Sequence, residues 1–316
     1  MRNKTVIYLL LSLISLQSSS QLNYPVTRKT DHTDDYRGII VKDPYRWLES
    51  DTATETKEWV TSQNNLTNAQ LDAIPFRQQM IKRVSEVFDY PKYSLPFENT
   101  GYYYFYKNDG LQNQDVLFRQ KGLNGSVDTV IDPNRLSEDG TSRLRTFMLS
   151  KDGHYAVLGI SRAGSDWETF TVRDMLTGKD LADELSWIKS SSVGWANGGF
   201  YYSRFPKPEE GKDLTSSNTG NQVWFHRLGT PQNEDKMIVE NKLDSTVFYG
   251  VTSSEDEQYT FVYMRSGATD PQGNVLYYCD NSIAGHKFIP LIKEIGKFNY
   301  SVLQSTGKKF VIWTDE

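Results

Sequence analysis

"SKDGHYAVLGISRAGSDW", Ser150 to Trp167, holds two polar turns around an apolar run. A polar turn, Ser150-Lys151-Asp152-Gly153, leads into an apolar run from His154 to Ser161. A second turn at Ala163-Gly164-Ser165 separates that run from Trp167 to Arg173, and the pair reads as a β-hairpin. The same unit recurs along the chain. Trp195-Ala196-Asn197-Gly198 precedes "GFYYSRF", Ser254-Glu255-Asp256 precedes "EQYTFVY", and Ser305-Thr306-Gly307 precedes "KKFVIW". Turn anchors at Asp152, Asn197, Asp256 and Thr306 recur at about 45, 59 and 50 residues, the range of four-stranded propeller blades. A sandwich also has many short strands, but a recurring turn followed by an aromatic strand favours the propeller.

Further strands read outward from these units. Tyr102 to Tyr106 is an unbroken aromatic run, and Phe200–Ser203, Gln222–Arg227, Tyr259–Met264 and Val275–Cys279 carry strand composition. No helix is expected after residue 90. Residues 91 to 316 hold roughly four to five units. In the last, "GKKFVIWTDE" (307–316), Phe310 and Ile312 point to one side of a strand and Val311 and Trp313 to the other. The unit has room for its opening strand, so the propeller is expected to be incomplete.

The N-terminal part reads differently. Arg2 and Lys4, the apolar run Val6 to Leu16, and the small residues Ser18 and Ser20 have the layout of a secretory signal peptide. Residues 22 to 50 are irregular and polar. Thr52-Ala53-Thr54-Glu55 has capping-box spacing, and Trp59, Gln63, Leu66 and Leu71 follow at helical intervals. Pro75 suits the first turn of a second helix, whose stripe of Met80, Ile81, Val84 and Phe88 reads as core-facing. The expected division is a signal peptide over 1–20, a two-helix arm over 21–80 and an incomplete propeller over 81–316.

Composition narrows the function. Net charge is −5 with Lys and Arg dispersed, which excludes a nucleic-acid footprint. Mean hydropathy is −0.59, and the 19 Tyr suit aromatic strands better than Leu- and Ala-rich helices. A single cysteine, Cys279, forms no internal disulfide, and its place in a strand-like run favours a small buried hydrophobe. Export without disulfides fits a bacterial periplasm or exterior.

A search for chemistry finds little. Gly159-Ile160-Ser161-Arg162-Ala163 lacks the last glycine of a nucleophile elbow and lies in a hairpin with no helix behind it. His32, His154, His226 and His286 read as surface or structural residues. Asp34-Asp35 reads as a solvated acidic pair. Asp132-Pro133-Asn134 lacks the later ligands of a calcium loop, and no zinc motif or phosphate-binding loop appears, so neither metal nor cofactor is expected. One connection stands out. "RFPKPEEGKDLTSSNTGN" (204–221) is long and polar between two good strands, the mark of a functional or mobile loop.

Taken in order, "YPVTRKTDHTDDYRGIIVKDPYRWLES", "NDGLQNQDVLF", "DPNRLSEDGT", "SKDGHYAVLGISRAGSDW" and "FHRLGTPQNED" resemble the N-terminal half of the prolyl oligopeptidase family. The resemblance runs from Leu22 to Glu316 and departs at Arg37, where the family often carries His. It implies a mainly β chain, part of a seven-bladed-type propeller preceded by a short α-helical arm. It further implies a serine peptidase cleaving short peptides after proline, whose Ser, Asp and His lie in a later α/β-hydrolase domain that this chain lacks. No catalytic residue carries over, and the chain by itself is expected to be inactive. Arg265 matches a propeller arginine facing the substrate cavity. The 204–221 loop resembles an interdomain gating loop, here with Arg204, Lys207, Glu209, Lys212 and Asn221. The expected partners are short proline-containing peptides and the hydrolase domain, with neither nucleic acid nor, after signal cleavage, membrane. The alternative is a stand-alone, non-catalytic propeller-like module that binds peptide or protein.

Overall fold

The computed structural model describes residues 22–50, 52–209, 218–267, 272–307 and 309–316. The expected signal peptide, and residues 210–217 of the long connection with Lys212, lie outside them. Two units divide the chain, Met1–Arg83 and Val84–Glu316. In the first, β1 (Thr33–Tyr36) and β2 (Ile39–Lys42) form a hairpin whose two-residue turn, Arg37-Gly38, has φ of +58° and +91°. Two left-handed residues match the twist of the strands, and glycine takes the more open angle without strain.

The acidic pair read as solvated is engaged instead. Asp34 forms an ion pair with Arg46, which also reaches Glu49 at 2.7 Å, and Asp35 Oδ1 accepts the Gly38 N–H. Helix α1 (Thr54–Asp72) starts after Ala53, and no side chain caps it. The expected capping box is not formed, because Glu55 is bound elsewhere. Both its oxygens accept from Arg28, at 2.6 and 2.8 Å. Trp59 Nε1 donates to Thr27 Oγ1 and Gln63 Nε2 to the Pro25 carbonyl. Glu55, Trp59 and Gln63 are spaced by four, so one helix face grips one extended segment.

Helix α2 (Arg77–Phe88) carries the expected apolar stripe, but Met80, Ile81, Val84 and Phe88 are exposed rather than core-facing. The periodicity was sound; no described apolar surface covers it.

Antiparallel sheets make up the second unit. The first begins with β3 (Lys92–Tyr93) and β4 (Phe97–Asn99), which lie end to end along β5 (Tyr102–Asn108); β6 (Val116–Lys121) and β7 (Val127–Ile131) follow. The second runs β8 (Arg143–Leu149), β9 (Tyr155–Ser161), β10 (Glu168–Asp174), β11 (Lys179–Ile188). The third is β12 (Val193–Ala196), β13 (Gly199–Arg204), β14 (Gln222–Arg227), β15 (Lys236–Val239). The fourth is β16 (Phe248–Ser253), β17 (Tyr259–Arg265), β18 (Asn274–Asp280), β19 (Ile289–Ile292). A two-stranded sheet, β20 (Tyr300–Thr306) with β21 (Lys309–Thr314), completes the series. From β5 onward each sheet is an antiparallel meander in which successive strands pair, as in a propeller blade.

The repeated turns join the first and second strands of these blades. Ser150 Oγ donates to Asp152 Oδ1 at 2.6 Å and accepts the Tyr155 N–H at 3.0 Å. Ser254, Asp256 and Tyr259 repeat this at 2.5 and 2.9 Å. Asn197-Gly198 uses the two left-handed residues of a tight hairpin instead.

Alternate faces of each blade bury against opposite neighbours. Leu117 and Tyr104 of the first blade meet Ala156 and Leu158, whereas Val157, Phe170 and Leu185 meet Trp195, Phe200 and Tyr202 of the third. Tyr201 and Phe225 pack on Val251 and Val262, and Phe261 with Leu276 on Phe310 and Ile312. A strand covered on both sides reads as a continuous apolar run, which is why β9 does not alternate. The fold is mainly β, a partial propeller preceded in sequence by a short helical arm.

Candidate functional site

An inner strand, β16, forms the floor of a concavity of about 830 Å³. At one end stand Phe248, Arg265 and Ser190; at the other are Lys151, Asp256 and Ser305. The ends are set by the ladder, because Phe248 pairs with Arg265 whereas Ser253 pairs with Thr260 next to the turn. Six strand residues at about 3.3 Å each separate the two ends by roughly 20 Å.

Arg265 is the last residue of β17 and is exposed. No described carboxylate lies within ion-pairing distance, so its guanidinium is available to a ligand carbonyl or carboxylate by charge-assisted hydrogen bonds. Beside it, Phe248 starts a run of ring contacts, to Phe205 at 6.1 Å and on to Trp167 at 5.9 Å and Trp187 at 5.8 Å from Trp167. An arginine and a half-exposed aromatic at one mouth set a charged donor beside an apolar face.

β20, from Ser301 to Ser305, forms the facing wall, and Ser190 comes from a segment that sequence reasoning passed over, "KSSS" at 189–192. Ser191 Oγ accepts the Ser203 N–H and Ser192 Oγ the Val251 N–H, each at 2.8 Å. Three consecutive serines between strands thus tie the third and fourth blades to the end of the second. Their clustering was visible in sequence; their partners, on strands up to 59 residues away, were not.

The long connection is rooted next to this segment. Arg204 stacks over the Trp224 ring at 3.9 Å. Asn221 is buried, and its Oδ1 accepts the N–H of Tyr249 on the concavity floor at 3.0 Å. The structure thus places Asn221 and Arg265 on either side of Phe248 and Tyr249. Lys207 and Glu209 are exposed along the loop.

The groups weighed as nucleophile or base stand apart from the concavity. Ser161 is buried at the end of β9. Cys279 is buried, and burial pushes its thiol pKa up. His154 stacks on Tyr155, and His286 Nδ1 meets the Tyr201 hydroxyl at 2.5 Å. His226 is fully buried between two carboxylates, Asp183 and Asp235, with both ring nitrogens engaged.

The family model for the N-terminal β-propeller domain of prolyl oligopeptidase matches residues 24–316. The chain belongs to the prolyl oligopeptidase family. The prolyl endopeptidase of Elizabethkingia meningoseptica is 38% identical over 304 residues, covering 96% of this chain and 42% of its own length. Prolyl oligopeptidase A of Galerina marginata is 33% identical, over 93% of this chain and 44% of its own. Among solved structures, prolyl oligopeptidase B of Galerina marginata bound to a 25mer macrocyclization substrate superposes with a TM-score of 0.76 at 29% identity. That match covers 93% of this chain and 44% of that one. The chain thus spans less than half the length of these prolyl oligopeptidase relatives and corresponds to the family's propeller.

Proposed function

We propose that this chain is the substrate-receiving propeller of an exported prolyl oligopeptidase-type serine peptidase acting on short peptides after proline. The observation that carries the reading is the concavity with Arg265 at its mouth, on a chain whose family relatives are prolyl endopeptidases. In this reading Arg265 and Phe248 bind and orient the peptide, and the 204–221 connection controls access. The nucleophile, base and acid come from a hydrolase portion.

Exposed apolar surface favours this over a stand-alone binding module. Leu303, Val311 and Trp313 on the two-stranded sheet, and separately the α2 stripe, leave large apolar side chains exposed to water, and exposed apolar patches mark surfaces that a partner covers. A hydrolase portion and further blades would cover them.

The test is hydrolysis of a chromogenic proline-containing peptide by the purified chain, with and without a serine-directed inhibitor. The expected result is no turnover above background. Inhibitor-sensitive turnover would overturn the division of labour, because the active groups would then reside here.

A further inference from the structure

Strand β16 has one ladder neighbour, β17, and no strand pairs with its other edge. Buried backbone groups on such an edge need partners, because an unmade hydrogen bond is costly away from water. Side chains supply them. Tyr249 is buried and receives two: Asn221 Oδ1 accepts its N–H and Ser203 Oγ donates to its carbonyl, each at 3.0 Å. Val251 receives one, from Ser192 Oγ, which accepts its N–H at 2.8 Å. Ser203 and Asn221 are themselves 1% and 3% exposed. An apolar residue would fill either place without the loss of hydration that a hydroxyl or amide suffers there. Packing therefore does not account for them.

The two residues reach Tyr249 from adjoining strand ends. Ser203 is next to last in β13, Asn221 immediately precedes β14, and Arg204 pairs with Gln222 between them. Both ends are pinned. The Ser203 N–H donates to Ser191 Oγ at 2.8 Å, and the Gly220 N–H donates to the Ser245 carbonyl at 2.7 Å. Tyr249 lines the concavity together with its chain neighbours Phe248 and Gly250. Phe248 in turn pairs across the ladder with Arg265, so a shift of the Tyr249 backbone moves the aromatic and the arginine with it.

We propose that Ser203 and Asn221 are positioning residues, which clasp the Tyr249 backbone from both sides and so fix the floor of the concavity beside Phe248 and Arg265. The consequence for ligand binding rests on reading the concavity as a peptide site; the clasp itself does not. Asn221→Ala removes the acceptor, and Asn221→Asp keeps an oxygen of the same shape in its place. Ser203→Ala removes the donor and leaves Asn221 intact, so it tests the clasp from the other side. Phe170→Ala serves as a control for general loosening, because it empties a site in the second blade.

The experiment is site-resolved amide hydrogen exchange of the chain, paired with titration of a fluorescent proline-containing peptide. In Asn221→Ala, Tyr249 exchange should rise about tenfold or more relative to Val157 and Val172, and peptide Kd should weaken at least about fivefold. Asn221→Asp should restore both to within about threefold, and Ser203→Ala should weaken Kd by about threefold or more. Phe170→Ala should show no selective rise at Tyr249. An unchanged Tyr249 amide in Asn221→Ala, or one rising only in step with Val157 and Val172, overturns the proposal. A selective rise with unaltered peptide Kd in both alanine variants also overturns it as a statement about the site. If the unsubstituted chain takes up no peptide, the site reading falls, while exchange still decides the clasp.

Discussion

Both ring nitrogens of His226 are engaged, Nδ1 with Asp235 Oδ1 at 2.6 Å and Nε2 with Asp183 Oδ1 at 2.9 Å. Asp235 also accepts the Tyr202 hydroxyl, and Asp183 the Gly229 N–H, so the cluster joins β11, β13 and β14. Burial by itself pushes the imidazole pKa down; the hydrogen bonds and charges of Asp235 and Asp183 outweigh it and hold the pKa above the usual histidine value. Because the folded-state pKa exceeds the unfolded value of about 6.5, the stabilisation is complete below that pH. It is lost as pH rises through the folded-state pKa. Thermal unfolding should therefore show Tm falling on the alkaline side, and His226→Gln should remove that dependence. Removing one member of a buried ion pair costs about 3–5 kcal/mol, so His226→Gln should also lower Tm at pH 6, by roughly 10 °C. A variant with the parent's pH profile would contradict this. The strand position of His226 was legible in sequence, but its two carboxylates come from another blade and a later turn, and no local pattern marks them.

At the scale of elements, legibility followed the source of each pattern. Strand β9 was readable because both its faces are covered, so its whole run had to be apolar. The repeated Ser-x-Asp turns were readable because their hydrogen bonds are local. The capping box was misread because Glu55 serves Arg28, a long-range partner that spacing does not reveal. In α2 the stripe was real but its cover was assumed. That difference is measurable. Met80→Lys and Val84→Lys replace exposed side chains and should move Tm by no more than about 2 °C. Phe170→Ala empties a fully buried site and should cost about 3–5 kcal/mol. Equal losses in the helix and strand variants would mean that the stripe is packed.

Across the whole molecule, stability is a chain of nearest-neighbour contacts between blades, each with its own buried cluster. The blade meander was legible where a polar turn and an aromatic strand recur, because those turns join the first and second strands of the blades. The concavity was legible only in part. Arg265 and the 204–221 connection came from family resemblance, whereas Phe248 and Ser190 required the blades to be stacked before they met. On the proposed function, this stacked surface receives peptide through Arg265. Equilibrium titration of a fluorescent proline-containing peptide into the purified chain and its Arg265→Ala variant tests it most directly. Saturable binding that weakens about tenfold in the variant is the predicted result, the worth of one charge-assisted hydrogen bond. The same Kd in both proteins, or no saturable binding by the unsubstituted chain, would contradict it.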